Sequence, residues 1–206
     1  MADRYALVVD STNNNIKEIP AADRLVADNL LLSGTTPTLT IGDAGAEDTK
    51  IVFDGNAQDF YIGLDDSADD LVIGLGSAVG TTPAISIDEH QVMKATAYAD
   101  TYLAPTSSSN ATTINCRGGN YFKHTLTENT TFTFSNPPAS GTGFSFVLHL
   151  IQDSTARTVT WPNSVDWAAA TAPTISTGNG DDDFFVFATS DGGTIWYGFT
   201  AGQAMA

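Results

Sequence analysis

Three short apolar stretches recur at an interval of eleven residues: Ile51-Val52-Phe53-Asp54, Ile62-Gly63-Leu64-Asp65 and Ile73-Gly74-Leu75-Gly76. Each isoleucine has a second large apolar residue two positions on, namely Phe53, Leu64 and Leu75. Apolar residues two apart share one side of an extended chain, so each stretch predicts a short strand with one buried face. The intervening segments carry Gly, Asn, Ser and Asp, which turn the chain by tolerating left-handed backbone or bonding their own main chain. A strand-and-turn unit this short cannot cover its own face and must stack on its copies or on other chains. The repeat therefore predicts a building block for assembly, with Ile51, Phe53, Ile62, Leu64, Ile73 and Leu75 as the interface side chains. Stacked copies are compatible with a β-helix-like coil or an intertwined trimer.

The rest of the chain divides around this repeat. Residues 5–9 read as a strand closed by the polar run 10–15, and Pro20 keeps residues 16–20 extended. With 23–32 as an irregular arm in preference to a short helix, residues 1–37 form an N-terminal arm. The repeat region spans 38–105, and its last part, from His90 to Tyr102, is the most helix-permissive piece of the chain. Thr106-Ser107-Ser108-Ser109-Asn110 has linker composition and marks a boundary.

From 106 to 206 the pattern lengthens into alternating strands, with Phe144, Phe146, Leu148 and Leu150 on one side of one of them. A hairpin is expected late in the chain: 184–189, the turn Asp191-Gly192-Gly193, then 195–200. Eleven Phe, six Tyr and three Trp supply enough aromatic mass for a real core. The predicted class is all-β, with an arm, a short-strand repeat region and a C-terminal β-sandwich or jelly-roll-like module.

Charge narrows the partners. Eight Lys and Arg against 24 Asp and Glu leave a net charge of -16, which repels phosphate backbones and acidic membrane surfaces. Neither a nucleic-acid nor a membrane partner is expected, and no stretch approaches the ~20 apolar residues of a membrane-spanning helix. Cys116 is the sole cysteine, so the chain has no internal disulfide and no cysteine-based zinc site.

Candidate chemistry is sparse. His90, His124 and His149 show no metal-ligand spacing, and no Gly-x-Ser-x-Gly elbow is present. Asp65–Asp70 and Asp181–Asp183 each offer oxygen ligands for a hard cation but lack an EF-hand pattern, and both read better as solvated turns. No catalytic residue, metal or cofactor is expected. Trp161 and Trp167 are candidate sugar-stacking rings, although aromatic residues beside strand ends more often anchor a core or an interface.

Two further stretches carry a resemblance. The opening, Val8-Val9-Asp10-Ser11 with Ile16-Lys17-Glu18-Ile19-Pro20-Ala21-Ala22-Asp23, resembles the start of tailed-bacteriophage virion proteins. The run Leu126-Thr127-Glu128-Asn129-Thr130-Thr131-Phe132-Thr133-Phe134-Ser135-Asn136-Pro137 is similar to a β-module found near the ends of phage structural proteins. Its companions are residues 146–152, Arg157-Thr158-Val159-Thr160-Trp161-Pro162, and 189–197. The resemblance implies a virion structural protein and transfers no catalytic residues. A short chain whose arm leads straight into assembly repeats, with no extended rod, is expected on the head. The leading expectation is a non-enzymatic capsid cement, or decoration, protein on the outer surface of the capsid. Its partners would be its own copies, as a homotrimer, and the major capsid protein. The alternative is a short tail fibre or tail-tip adhesin that reads a host surface glycan, and a third class is a polysaccharide-degrading enzyme.

Overall fold

The computed structural model describes residues 7–10, 15–18 and 28–205. The chain is almost entirely β and packs as two units, one through Thr96 and one from Ala97 onward. Residues 97–105 thus go with the C-terminal unit.

The first unit opens with β1 (Leu7–Asp10) and β2 (Asn15–Glu18), which pair antiparallel from Leu7↔Glu18 to Asp10↔Asn15. The preferred arm over 23–32 lies outside the described residues as far as 27, and residues 28–32 carry no regular element. Next comes a five-stranded meander: β3 (Thr49–Phe53), β4 (Phe60–Asp65), β5 (Asp70–Leu75), β6 (Pro83–Ile87) and β7 (Met93–Ala95), hydrogen-bonded in that order. Every neighbouring pair is antiparallel, so the repeats fold as a meander and not as a parallel β-helix coil. The helix-permissive stretch supplies β7, because pairing of Met93–Ala95 with Ile87–Ile85 overrides its local propensity.

The eleven-residue interval sets the register. Ile51 faces Ile62, Ile62 faces Ile73, and Ile73 faces Ile85, giving one cross-strand row of isoleucines. Flanking rows run Phe53–Phe60–Leu75 and Leu64–Leu71–Ile87–Met93. On the opposite face the β5–β6 loop folds back as a lid. Within it, the Gly80 amide donates to the Tyr61 hydroxyl at 3.1 Å, and the Lys50 ammonium donates to the Ser77 carbonyl. Gly74 makes room for this lid, since a Cβ there would lie 2.5 Å from the Tyr61 oxygen. Tyr61 and Val72, under the lid, are the buried hydrophobic residues of this unit among those described.

The second unit holds the main core. Its strands are β8 (Tyr102–Leu103), β9 (Ala111–Asn115), β10 (Tyr121–Leu126), β11 (Thr130–Ser135), β12 (Phe144–Gln152), β13 (Val159–Thr160), β14 (Val165–Trp167), β15 (Asp182–Thr189) and β16 (Trp196–Met205). They form a six-stranded sheet ordered β14-β16-β15-β12-β10-β8 and a three-stranded sheet ordered β13-β11-β9. The expected hairpin is β15–β16, with Ala188 opposite Tyr197.

Alternation sends Phe146, Leu148 and Leu150 inward from β12, where they meet Phe185 and Phe187 of β15, Phe122 of β10, and Ile114 and Phe132 of the smaller sheet. Phe146 is the hub of this core. Its ring centroid lies 5.4 Å from Phe122, 5.1 Å from Phe134, 5.2 Å from Phe187 and 5.4 Å from Trp196. Such pairs add about 0.5–1.5 kcal/mol each beyond simple burial.

Candidate functional site

The six predicted interface residues all stand on the unlidded face of the meander. Ile51, Phe53, Ile62, Leu64, Ile73 and Leu75 are each 38–56% exposed within the chain. Phe60, Leu71 and Met93 extend the same rows and are exposed as well. Sequence reasoning passed over them, yet Phe60 and Leu71 lie two residues before Ile62 and Ile73, so the alternation already put them on this face. Scattered exposed leucines need no explanation, whereas these side chains form contiguous apolar rows.

The two candidate stacking rings both face inward. Trp161 belongs to the core, stacked on Phe132 at 5.6 Å with an 18° interplanar angle and packed against Phe185 and Phe187. Trp167 turns its ring inward onto Trp161, Phe185 and Phe187, while on the outer side of the same strand pair Asp166, Tyr197 and Phe199 line a surface depression to which residue 167 also contributes.

The histidines occupy unrelated places. His149 bridges strands on the outer side of the large sheet, its Nε2 donating to Asp182 Oδ1 at 2.8 Å and its Nδ1 lying 3.3 Å from the Tyr121 hydroxyl. The Phe184 ring stacks on it at 4.2 Å. This chain of groups ties β10, β12 and β15 together. His124 is buried, with Nδ1 2.8 Å from the Pro105 carbonyl, and burial pushes its pKa below the usual histidine value despite that bond and the nearby Glu128 carboxylate. Cys116 is buried too, and desolvation pushes its thiol up to about 11, which leaves it protonated and a poor nucleophile at neutral pH.

The acidic clusters have local structural roles. Asp65–Asp70 closes the β4–β5 hairpin: the Ala68 amide bonds the Asp65 carbonyl, and the Ser67 hydroxyl donates to Asp65 Oδ1 at 2.7 Å. Asp181–Asp183 is only partly a turn, because Asp182 and Asp183 lie in β15. Asp183 is buried and accepts from the Ser176 amide at 2.8 Å, the Ser176 hydroxyl at 2.6 Å and the Ala204 amide at 3.0 Å. That carboxylate pins the 171–176 segment and the final strand to the core. The half-buried Asp88 and the exposed Glu89 and His90 gather ligand-type atoms within 4.8 Å of one another. Asp88 Oδ1 is already engaged there, taking the His90 amide at 3.0 Å and the Val92 amide at 2.8 Å to close the β6–β7 turn.

An aromatic-cored β-module and a meander with contiguous apolar rows on one face make this an all-β chain. Residues 104–179 match the family described as "Putative phage tail fibre C-terminal domain". That match, over about a third of the chain, supports a phage virion structural protein of tail-fibre-like kind, in line with the resemblance of the 126–137 run. The match favours the tail-fibre alternative and lends nothing to a capsid-cement role. No curated protein and no solved structure matches the chain.

Proposed function

We propose that this protein is a tail-fibre component that oligomerises through its first unit and recognises a host surface glycan, without cutting it, through its second. The family match over residues 104–179 carries the tail assignment. The location expected from the short chain and early repeats, the outer surface of the capsid, gives way to the tail in this reading.

The oligomer rests on the uncovered rows of the meander. Nine of their side chains are exposed, from Ile51 to Met93. A large apolar side chain hides on the order of 150–200 Å² when fully covered, so this face offers roughly 700–800 Å², close to the ~800 Å² per partner of a stable interface. Water-exposed, those rows are unfavourable at ~25 cal/mol per Å². Copies of the same face are their natural cover, and three copies closing about one axis leave none of it open.

Immunogold electron microscopy of intact virions, combined with quantitative mass spectrometry, tests the location. Gold at the tail and a copy number far below that of the major capsid protein are expected. Label distributed over the head at capsid-like stoichiometry would overturn the proposal.

A further inference from the structure

We infer that the depression bounded by Asp166, Trp167, Tyr197 and Phe199 is a binding site for a neutral or amino-bearing pyranose. The inference rests on the adhesin reading above and gives that reading a place and a ligand class.

The site is assembled by one strand pairing. In the parallel β14–β16 pair, Asp166 stands opposite Tyr197 and Trp167 opposite Gly198. The Trp167 ring lies on the inner side with residue 198, where a Cβ would come within 2.7 Å of it, so the rings offered outward are those of Tyr197 and Phe199. Tyr197 and Phe199, two residues apart, project from the same side of β16 and are 50% and 55% exposed. The depression between these groups measures about 280 Å³. After Trp167 the chain turns away through Ala168–Ala170, whose last two alanines have φ of 53°. Among the described residues, no strand pairs with β16 on that side from Phe199 onward.

The chemistry suits a sugar better than a protein surface. A pyranose has an apolar C–H face, which stacks on aromatic rings, and a rim of hydroxyls, which donate to a carboxylate. Asp166 supplies that acceptor, is exposed, and among the described residues forms no ion pair. A protein partner would have to cover this unpaired carboxylate, a costly desolvation unless it brought a counter-charge. Charge selects further. With Asp166 at the rim and a chain charge of -16, a uronate or sialate is repelled, whereas a neutral or protonated amino sugar is not.

The test uses the full-length protein and ligand-observed saturation-transfer NMR. The probes are the methyl glycosides of glucose, galactose, N-acetylglucosamine and glucuronic acid. Saturation is expected on the ring protons of at least one neutral glycoside, with the glucuronide bound more weakly. Tyr197→Ala/Phe199→Ala should weaken binding roughly tenfold or more, as loss of aromatic stacking implies. Both side chains are exposed, so circular dichroism and melting should stay at wild-type values. Asp166→Asn, which keeps the shape, should weaken it several-fold. No saturation on any neutral probe, equal binding by the double variant, or preference for the glucuronide would overturn the inference.

Cosedimentation with intact host bacteria separates the two levels. Wild-type protein should pellet with cells and be released when periodate cleaves the surface diols. Wild type left in the supernatant would sink the adhesin reading itself. A double variant that pellets as well as wild type would sink only this site.

Discussion

Replacing Ile73 with aspartate probes the assembly face at its centre. Ile73 sits in the isoleucine row between Ile62 and Ile85, and 38% of it is open to water in the single chain. Complete burial of an isoleucine is worth ~1.5–3 kcal/mol, so covering the open part in an oligomer stabilises by about 1 kcal/mol per chain. A carboxylate placed there would be buried without a partner, at a cost of ~3–5 kcal/mol. Together these make about 5 kcal/mol per chain, or some three to four orders of magnitude in dissociation constant for each chain engaged. The single chain loses little, because the site is already half wet before assembly. The second unit, with its own core, should melt unchanged. Light scattering coupled to size exclusion reads the outcome: wild type near three times the 21.6 kDa chain mass, and Ile73→Asp near one. Ile73→Leu, which keeps the face apolar, should retain the oligomer. An Ile73→Asp protein that elutes at the wild-type mass at micromolar concentration would refute the argument.

Three other outcomes are expected. His124 has a folded pKa depressed by burial, so the unfolded chain binds the extra proton first; stability should be intact above the unfolded value of about 6.5 and decline as pH falls below it. Thermal melts of the His124→Gln variant should lose that component of the pH dependence, and a wild-type melting temperature unchanged between pH 7.5 and 5 would contradict the assignment. Cys116, with its thiol held at about 11, should resist a thiol-specific reagent at pH 8 until denaturant is added, whereas rapid labelling of the native protein would show that the core opens there. Asp183→Ala strands the Ser176 and Ala204 amides and the Ser176 hydroxyl, and should lower stability by ~2–4 kcal/mol in urea melts; a loss under 0.5 kcal/mol would mean the pin is dispensable.

Strand positions in this chain are legible because period-2 alternation is a local property. The inward set Phe146, Leu148 and Leu150, the β15–β16 hairpin around Asp191-Gly192-Gly193 and the common face of Ile51, Ile62 and Ile73 all follow from it. The same alternation extended two residues back reaches Phe60 and Leu71. Pairing is another matter. Stretch 93–95 has residues that tolerate a helix, and only the free edge of β6 makes it a strand. Trp161 and Trp167 are indistinguishable as letters in a string. Both rings end half-buried against Phe185 and Phe187, Trp167 because β14 pairs with β16 at a glycine.

The sequence by itself determined that the chain is β-rich, that an eleven-residue rhythm lines up its isoleucines, and that its net charge is -16. Strand direction was left to the tertiary structure, since an eleven-residue interval aligns the isoleucines whether neighbouring strands run parallel or antiparallel. The four-residue turn Asp66–Asp69 decides it by reversing the chain directly onto its neighbour, whereas a parallel return needs a crossover of a dozen residues or more. Which face stays bare was decided in the same way. The β5–β6 loop bonds Tyr61 and Lys50 on one side of the sheet, so among the described residues of this unit none covers the isoleucine row on the other. Burial depends on what long-range contacts place over a side chain, and alternation along one strand carries no record of them.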